Sequence, residues 1–426
     1  MLDRTSPPNI YKVTQIDFPQ PERHTLPNGT PLWTLNAGNQ DIIKLDLFFQ
    51  AGRPFEKKKL VARGTSKLLL EGTQKRSSKE IAEILDFHGA TLASPVDLDT
   101  SSLILYCLGK HFPKMLDLLS EILAEPNYKE EELELFKTNT IQKLKYNNSK
   151  ADVRAYRQIT ESIFGSDHPY GYNSSEEMIH AVNRNDLLDH FEQFYNGNNC
   201  TVMVSGRVTP DVLDLIQQKL GNVLRKGKKA SPKLVGENNT PTRILDYDAN
   251  AIQTSIRVGK KMFSRSHEDY EGMYVLNTIL GGYFGSRLMM NIREDKGFTY
   301  NVFSSLDTML FGGYFYVGTE VDNQHADKAL VEIYHEMERL KVELVDDIEL
   351  EMVKNYLMGN LLTLVDGPMN SSEVVKSFLI NEIPFSSFNQ LIFKIQTIKS
   401  EELRNLAIKY LNRKSMWEVI SGGIRD

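Results

Sequence analysis

Cysteine and tryptophan are nearly absent: the 426-residue chain holds two of each. Neither Cys107 nor Cys200 has another soft ligand in its surroundings, which excludes a disulfide framework and a Cys-based zinc site and leaves both as small buried hydrophobes. Long apolar runs are missing too. No window approaches the ~18–20 apolar residues of a membrane helix, and the stretch 1–24 lacks the apolar segment of a secretory signal. The expectation is a cytoplasmic protein with no membrane partner. Positive charge is not in excess: 50 Lys and Arg stand against 56 Asp and Glu, a formal net charge of -6. Nothing draws such a chain onto a phosphate backbone, so nucleic acid is excluded as a partner.

What remains is an ordinary globular composition, 41% hydrophobic and 25% charged, long enough for two or three domains. The pattern repeats. In the first half, Ile42 to Phe49 reads as a strand, and Lys59 to Leu70 and Ser77 to Phe87 read as helices by their three-to-four spacing of apolar residues. Ala90 to Val96 and Ser102 to Leu108 read as a strand pair, and Pro113 to Leu123 and Lys129 to Phe164 as helices. The second half repeats the order. Ile252 to Val258 is a predicted strand, Glu268 to Leu280 and Ser286 to Arg293 predicted helices, Thr299 to Leu306 and Gly313 to Glu320 a strand pair, and Asp327 to Leu340 and Asp346 to Leu364 long helices. The stretch from Arg225 to Arg243 is rich in Lys, Gly, Asn and Pro and poor in apolar residues, as a linker is. The expected organisation is an α+β protein of two similar domains, 1–224 and 244–426, joined by a linker at 225–243. Each domain is a mainly antiparallel sheet with helices packed on one face.

Several chemical motifs fail on inspection. His335-Glu336-Met337-Glu338-Arg339 is one letter from the H-E-x-x-H zinc motif, but Arg339 has no lone pair to give, so the segment reads as a solvated helix face. Gly281 to Gly285 follows a helix and lacks phosphate-loop spacing. The nine histidines include no i, i+4 pair.

A larger pattern emerges from several short strings. Thr25-Leu26-Pro27-Asn28-Gly29 opens a hairpin, Leu69-Leu70-Glu71-Gly72-Thr73 closes a helix, and Phe164 to Gly171 and Val204-Ser205-Gly206 follow. Leu280-Gly281-Gly282-Tyr283-Phe284-Gly285-Ser286-Arg287-Leu288 then leads to Arg293 and Tyr300. With these strings the chain resembles, nearly end to end, the pitrilysin/insulinase family of zinc metallopeptidases. The resemblance implies the two-domain fold of the processing-peptidase type. It also locates what is missing.

Active members carry an inverted zinc motif, H-x-x-E-H, just before the E-G-T-like helix end. Here those five positions are Arg63-Gly64-Thr65-Ser66-Lys67. Arg63 and Lys67 are cations where imidazole ligands belong, and Ser66 stands where the general base belongs. The third ligand falls at Gln142 or Lys143, while the acidic run Glu130 to Glu134 reads as the dipole-favoured start of a helix. The resemblance therefore implies a chain with no metal of its own and no catalytic residue acting alone, zinc being expected only in a partner chain. Arg293 and Tyr300 match the family's substrate-side pair, which hydrogen-bonds the peptide backbone near the scissile carbonyl.

Three functions follow as expectations. The first is a zinc-free subunit that binds unstructured peptides and lends Arg293 and Tyr300 to a zinc-bearing homologous partner. The second is a non-enzymatic homodimeric scaffold or peptide-binding protein. The third is a stand-alone metallopeptidase with an unrecognised site.

Overall fold

The computed structural model describes residues 13–236 and 239–423. The first twelve and last three residues of the expected domains, and 237–238 of the expected linker, lie outside the described residues. Among the described residues, eleven strands form two sheets. The first comprises β1 (Glu22–Thr25), β2 (Pro31–Asn36), β3 (Ile42–Phe49), β4 (Thr91–Ala93), β5 (Ser101–Leu108) and β6 (Cys200–Gly206), in the order β1-β2-β6-β3-β5-β4. The second comprises β7 (Arg243–Tyr247), β8 (Gln253–Met262), β9 (Val302–Met309), β10 (Gly312–Asp322) and β11 (Trp417–Gly422), in the order β7-β11-β8-β10-β9. β2 runs parallel to β6 and β7 parallel to β11, while the remaining pairs are antiparallel. Leaving out β1, the two sheets share one strand order and one parallel pair, so the halves repeat in topology as in pattern.

Strand β3 shows how the halves are joined. Ile43, Leu45, Leu47 and Phe49 alternate toward the first half's own helices, in one core with Phe112, Met115 and Leu119. On the opposite face stand Lys44 and Asp46, whose polarity would suit solvent, yet they are only 1% and 2% exposed. The helix Gly367–Ile380 of the second half lies over them. Its Lys376 Nζ donates to both oxygens of Asp46 at 2.9 and 3.1 Å, while Lys44 Nζ donates to Ser372 Oγ at 2.9 Å and pairs with Glu373.

The exchange is reciprocal. The expected helical run Lys129 to Phe164 breaks at Ser149-Lys150, after two asparagines with poor helix propensity, into Glu130–Asn148 and Ala151–Phe164. The second piece crosses to pack on β8 and β11 of the other sheet, where Ala155, Ile159 and Ile163 meet Tyr316, Trp417 and Val419. Each sheet therefore has its own helices on one face and a single helix of the other half on the opposite face. A hydrogen-bonded bridge adds to this: Tyr170 donates to Asp99, which also accepts from the Leu310 amide at 2.8 Å in the β9–β10 turn.

The entry to the helix Val61–Leu68, which carries the degenerate motif, is fixed by unusual chemistry. Leu60, at its N-cap, is held at φ 74°, the left-handed region that disfavours a branched side chain. Two polar groups hold it there. Glu56 accepts from the Ala62 amide at 2.9 Å and from Tyr172 Oη at 2.8 Å, and that same hydroxyl accepts from the Leu60 amide at 3.3 Å. Burial pushes the Glu56 carboxyl from its ordinary 4.5 up to about 7, against the lowering effect of the Tyr172 and Ala62 hydrogen bonds and the Arg53 charge.

Two predictions follow from these contacts. Asp46→Ala leaves Lys376 buried without its counter-charge and should cost about 3–5 kcal/mol, read as a lower denaturant midpoint. An unchanged midpoint would mean that the pair does not hold the halves together. For Glu56, a folded pKa above the unfolded value means that the carboxyl favours the fold most below about pH 4.5 and progressively less up to about pH 7. The stability of the natural chain relative to Glu56→Gln should fall by on the order of 3 kcal/mol across that window and stay level above it. A difference that is flat or rises with pH would contradict the assignment.

Candidate functional site

Arg63, Ser66 and Lys67 share one face of the helix Val61–Leu68, as i, i+3 and i+4 positions must. Their fates differ. Ser66 is 1% exposed and its Oγ donates to the Ser94 carbonyl at 2.8 Å, while Ser94 Oγ donates back to the Ser66 carbonyl. A hydroxyl committed to that exchange is a structural tie, not a base. Arg63 and Lys67 are open to solvent. The recess around Arg63 nevertheless desolvates its guanidinium, and with the like charge of Arg53 this holds its pKa below the ordinary value.

The helix sits close to its neighbours because residue 64 is glycine: a Cβ there would lie 2.9 Å from Leu187 and 3.8 Å from Phe136. Phe136 belongs to the helix Glu130–Asn148, and Lys143 lies seven residues further on the same face, exposed, as is Gln142. Glu130, Glu131 and Glu132 occupy that helix's first turn, as the dipole favours, and Glu134 pairs with Lys137 at 2.7 Å. These residues do not fit zinc. Two cations, a hydrogen-bonded serine and an amide or a third cation offer no ligand set, and among the described residues no group of three or more His, Cys, Asp or Glu could hold a metal ion.

Arg293 and Tyr300 are held by the second half. The predicted helix Glu268 to Leu280 runs as Tyr270–Asn277 and then loosens into a π-helical turn, Thr278–Gly282. There Gly281 is pressed on β9, where a Cβ would fall 2.4 Å from the Ser304 nitrogen, so no larger residue fits. Arg287 then forms a two-pronged pair with Glu349, Nε to Oε1 at 2.9 Å and Nη2 to Oε2 at 2.8 Å, and Leu288 is fully buried. A second π-helical turn, Met289–Asp295, carries Arg293.

That turn is anchored by a group whose role the sequence concealed. Glu336 is 1% exposed and accepts from Asn291 at 2.6 Å and from Arg339 at 3.2 Å. The reading of His335 to Arg339 as a solvated face is therefore wrong at its second residue. Its helix, Ala326–Val342, turns Glu336 inward to meet a turn over forty residues away, a contact that no local pattern encodes. Glu332 assists, accepting from Asn291 at 3.1 Å and pairing with Lys296 at 3.2 Å.

Held in this way, the Arg293 guanidinium lies 4.5 Å over the Phe284 ring and pairs with Glu294. Tyr300 precedes its strand, which begins at Val302 and not at Thr299, and is 90% exposed. The two side chains line one open pocket of about 510 Å³, together with Phe298, Glu320 and His325. Fixed guanidinium donors beside a free phenol suit a peptide carbonyl or a developing oxyanion. The pocket includes none of Arg63, Ser66 and Lys67, which lie in the other half.

Comparison with known proteins agrees with this architecture. A family model described as "Insulinase (Peptidase family M16)" matches residues 34–170, and one described as "Peptidase M16 inactive domain" matches residues 181–357. The chain is 21% identical to the uncharacterized zinc protease YmxG of Bacillus subtilis, covering 91% of this chain and 94% of the relative. It is 23% identical to the mitochondrial-processing peptidase subunit beta of Caenorhabditis elegans, over 95% and 91% of the two chains. The crystal structure of a peptidase M16 inactive domain from Pseudomonas fluorescens superposes with a TM-score of 0.87 at 21% identity, covering 95% of this chain and 98% of that one. Across both of its halves, the chain belongs to the insulinase, or M16, family of peptidases.

Proposed function

We propose that this chain is the zinc-free subunit of a two-chain M16 peptidase, binding unstructured peptide and presenting Arg293 and Tyr300 to the active site of a zinc-bearing homologous partner. One observation carries the reading: the two halves have been treated unequally. In the first half the motif helix keeps its packing, its Glu56 and Tyr172 clamp and its Gly64 contact, while its ligand positions hold Arg63 and Lys67. In the second half Arg293 is braced by the Asn291, Glu332 and Glu336 network, and Tyr300 stands free in the same pocket.

Such an arrangement suits a division of labour. The partner would supply the metal-bound water and its base. This chain would supply donors that need no metal: a planar guanidinium with several N–H groups, and a phenol able to donate to oxygen as charge develops there. The similarity to a subunit of the mitochondrial-processing peptidase supports a multi-chain setting.

The test is cleavage of an unstructured peptide by this chain alone and mixed with a zinc-motif homologue. Turnover is expected only in the mixture, and Arg293→Ala or Tyr300→Phe in this chain should each lower its kcat/KM by about 10²-fold or more, the scale of a lost oxyanion donor. Turnover by this chain alone, or a mixture indifferent to both substitutions, would overturn the reading. Turnover in neither would shift the function to a scaffold.

A further inference from the structure

The replaced zinc ligands leave a local charge imbalance. Around the motif helix, cation after cation is matched. Arg53 donates to the carbonyls of Pro169 at 3.3 Å and Tyr172 at 3.1 Å and lies 4.3 Å over the Tyr172 ring. Lys58 pairs with Asp186 at 2.7 Å, Lys59 with Asp167 at 2.8 Å, and Arg157 donates to the Ser174 carbonyl at 2.7 Å. Among the described residues, Arg63 and Lys67 make no hydrogen bond or ion pair. They stand one helical turn apart, a spacing at which like charges repel.

Three of the nearby carboxylates are already committed, and Glu71, four residues past Lys67, makes no ion pair with it among the described residues, its carboxyl being raised above the ordinary range by burial and by the like charge of Glu132. Asp186 and Asp167 hold Lys58 and Lys59, and Glu56 faces the Ala62 amide and the Tyr172 hydroxyl. The pair also stands beside a strand edge: Ser66, between them on the helix, is tied to Ser94, the residue after β4, and among the described residues β4 has no strand on its outer side. An extended chain lying along that edge passes the two cations.

We propose that the degenerate motif is a carboxylate-binding site, in which Arg63 and Lys67 together take the acidic group of a bound peptide, either a Glu or Asp side chain or the free C-terminal carboxylate. Arg63 offers the two-pronged geometry that matches a carboxylate, and Lys67 adds a mobile ammonium. The site rests on the peptide-binding reading above and adds a selectivity to it: peptides bearing an anion are held where the active enzymes hold a metal.

The test measures fluorescence polarisation of the full chain with one unstructured, labelled peptide in three forms: a central Glu with an amidated end, a central Gln with an amidated end, and a central Gln with a free carboxylate. At least one carboxylate-bearing form is expected to bind about tenfold tighter than the neutral form, with a preference that shrinks as salt rises. Whichever form gains identifies the side chain or the C-terminus as the ligand. The double variant Arg63→Gln, Lys67→Gln should bind all forms as weakly as the neutral one, and both side chains being exposed, it should fold as the natural chain does.

Equal affinities in the natural chain, or a preference that survives the double substitution, would overturn the proposal. If no peptide binds, the peptide reading itself fails, and inorganic sulfate then decides the anion site. A rise in melting temperature over chloride of equal ionic strength that the double variant loses would uphold the site, and the absence of such a rise would end it.

Discussion

The exchange of one helix between two similar halves is the constraint on which the rest of this chain depends. A sheet has two faces, and each half has enough helices to cover only one of them. The other face of each is closed by a helix from the opposite half: Gly367–Ile380 over the first sheet and Ala151–Phe164 over the second. The apolar consequence is a core that runs from Phe48 and Met203 of the first sheet into the second half. The polar consequence is Lys376 on Asp46, a desolvated pair that is costly to break and is made by residues 330 positions apart.

Because the halves are locked, the two ends of the proposed chemistry are held on rigid elements. The motif helix is fixed by Glu56, Tyr172 and a strained Leu60, and the Arg293 turn by Glu336, Asn291 and the Arg287–Glu349 fork. The strain at Leu60 persists where the surrounding hydrogen bonds over-determine it. On the reading proposed above, what differs between the halves is not the scaffold but the side chains it displays: cations at the positions of metal ligands, and a guanidinium and a phenol at the positions of substrate donors.

Much of this was legible in the sequence, for reasons that can be named. The mostly apolar run Ile42 to Phe49 marked a strand with the same bounds as β3, and the repeat of pattern between the halves matches the repeat of strand order. The Gly-Gly to Arg-Leu string pointed to the turns that carry Arg293. Residues whose environment is made by distant chain were not legible. Glu336 read as solvent-facing because its partner Asn291 lies far along the sequence, and it proved buried; the buried Lys44 and Asp46 likewise owe their environment to distant chain. Tyr300 read as a strand residue because Thr and Tyr favour strands, yet pairing begins two residues later. The π-helical turns had no local signature beyond Gly281, whose close approach to Ser304 only the folded chain reveals. Glu56, three residues before a predicted helix and followed by three lysines, carries no local signal of the buried clamp it forms.

In the function proposed above, the metal half of this peptidase fold has been replaced while its frame was kept. Titration of the purified, chelator-treated full chain with zinc, followed by metal analysis after buffer exchange, tests it most directly. Well under one retained zinc per chain is expected, with the fold intact by circular dichroism. One tightly held zinc per chain would contradict it, and would mean that ligands other than Arg63, Ser66 and Lys67 build a metal centre.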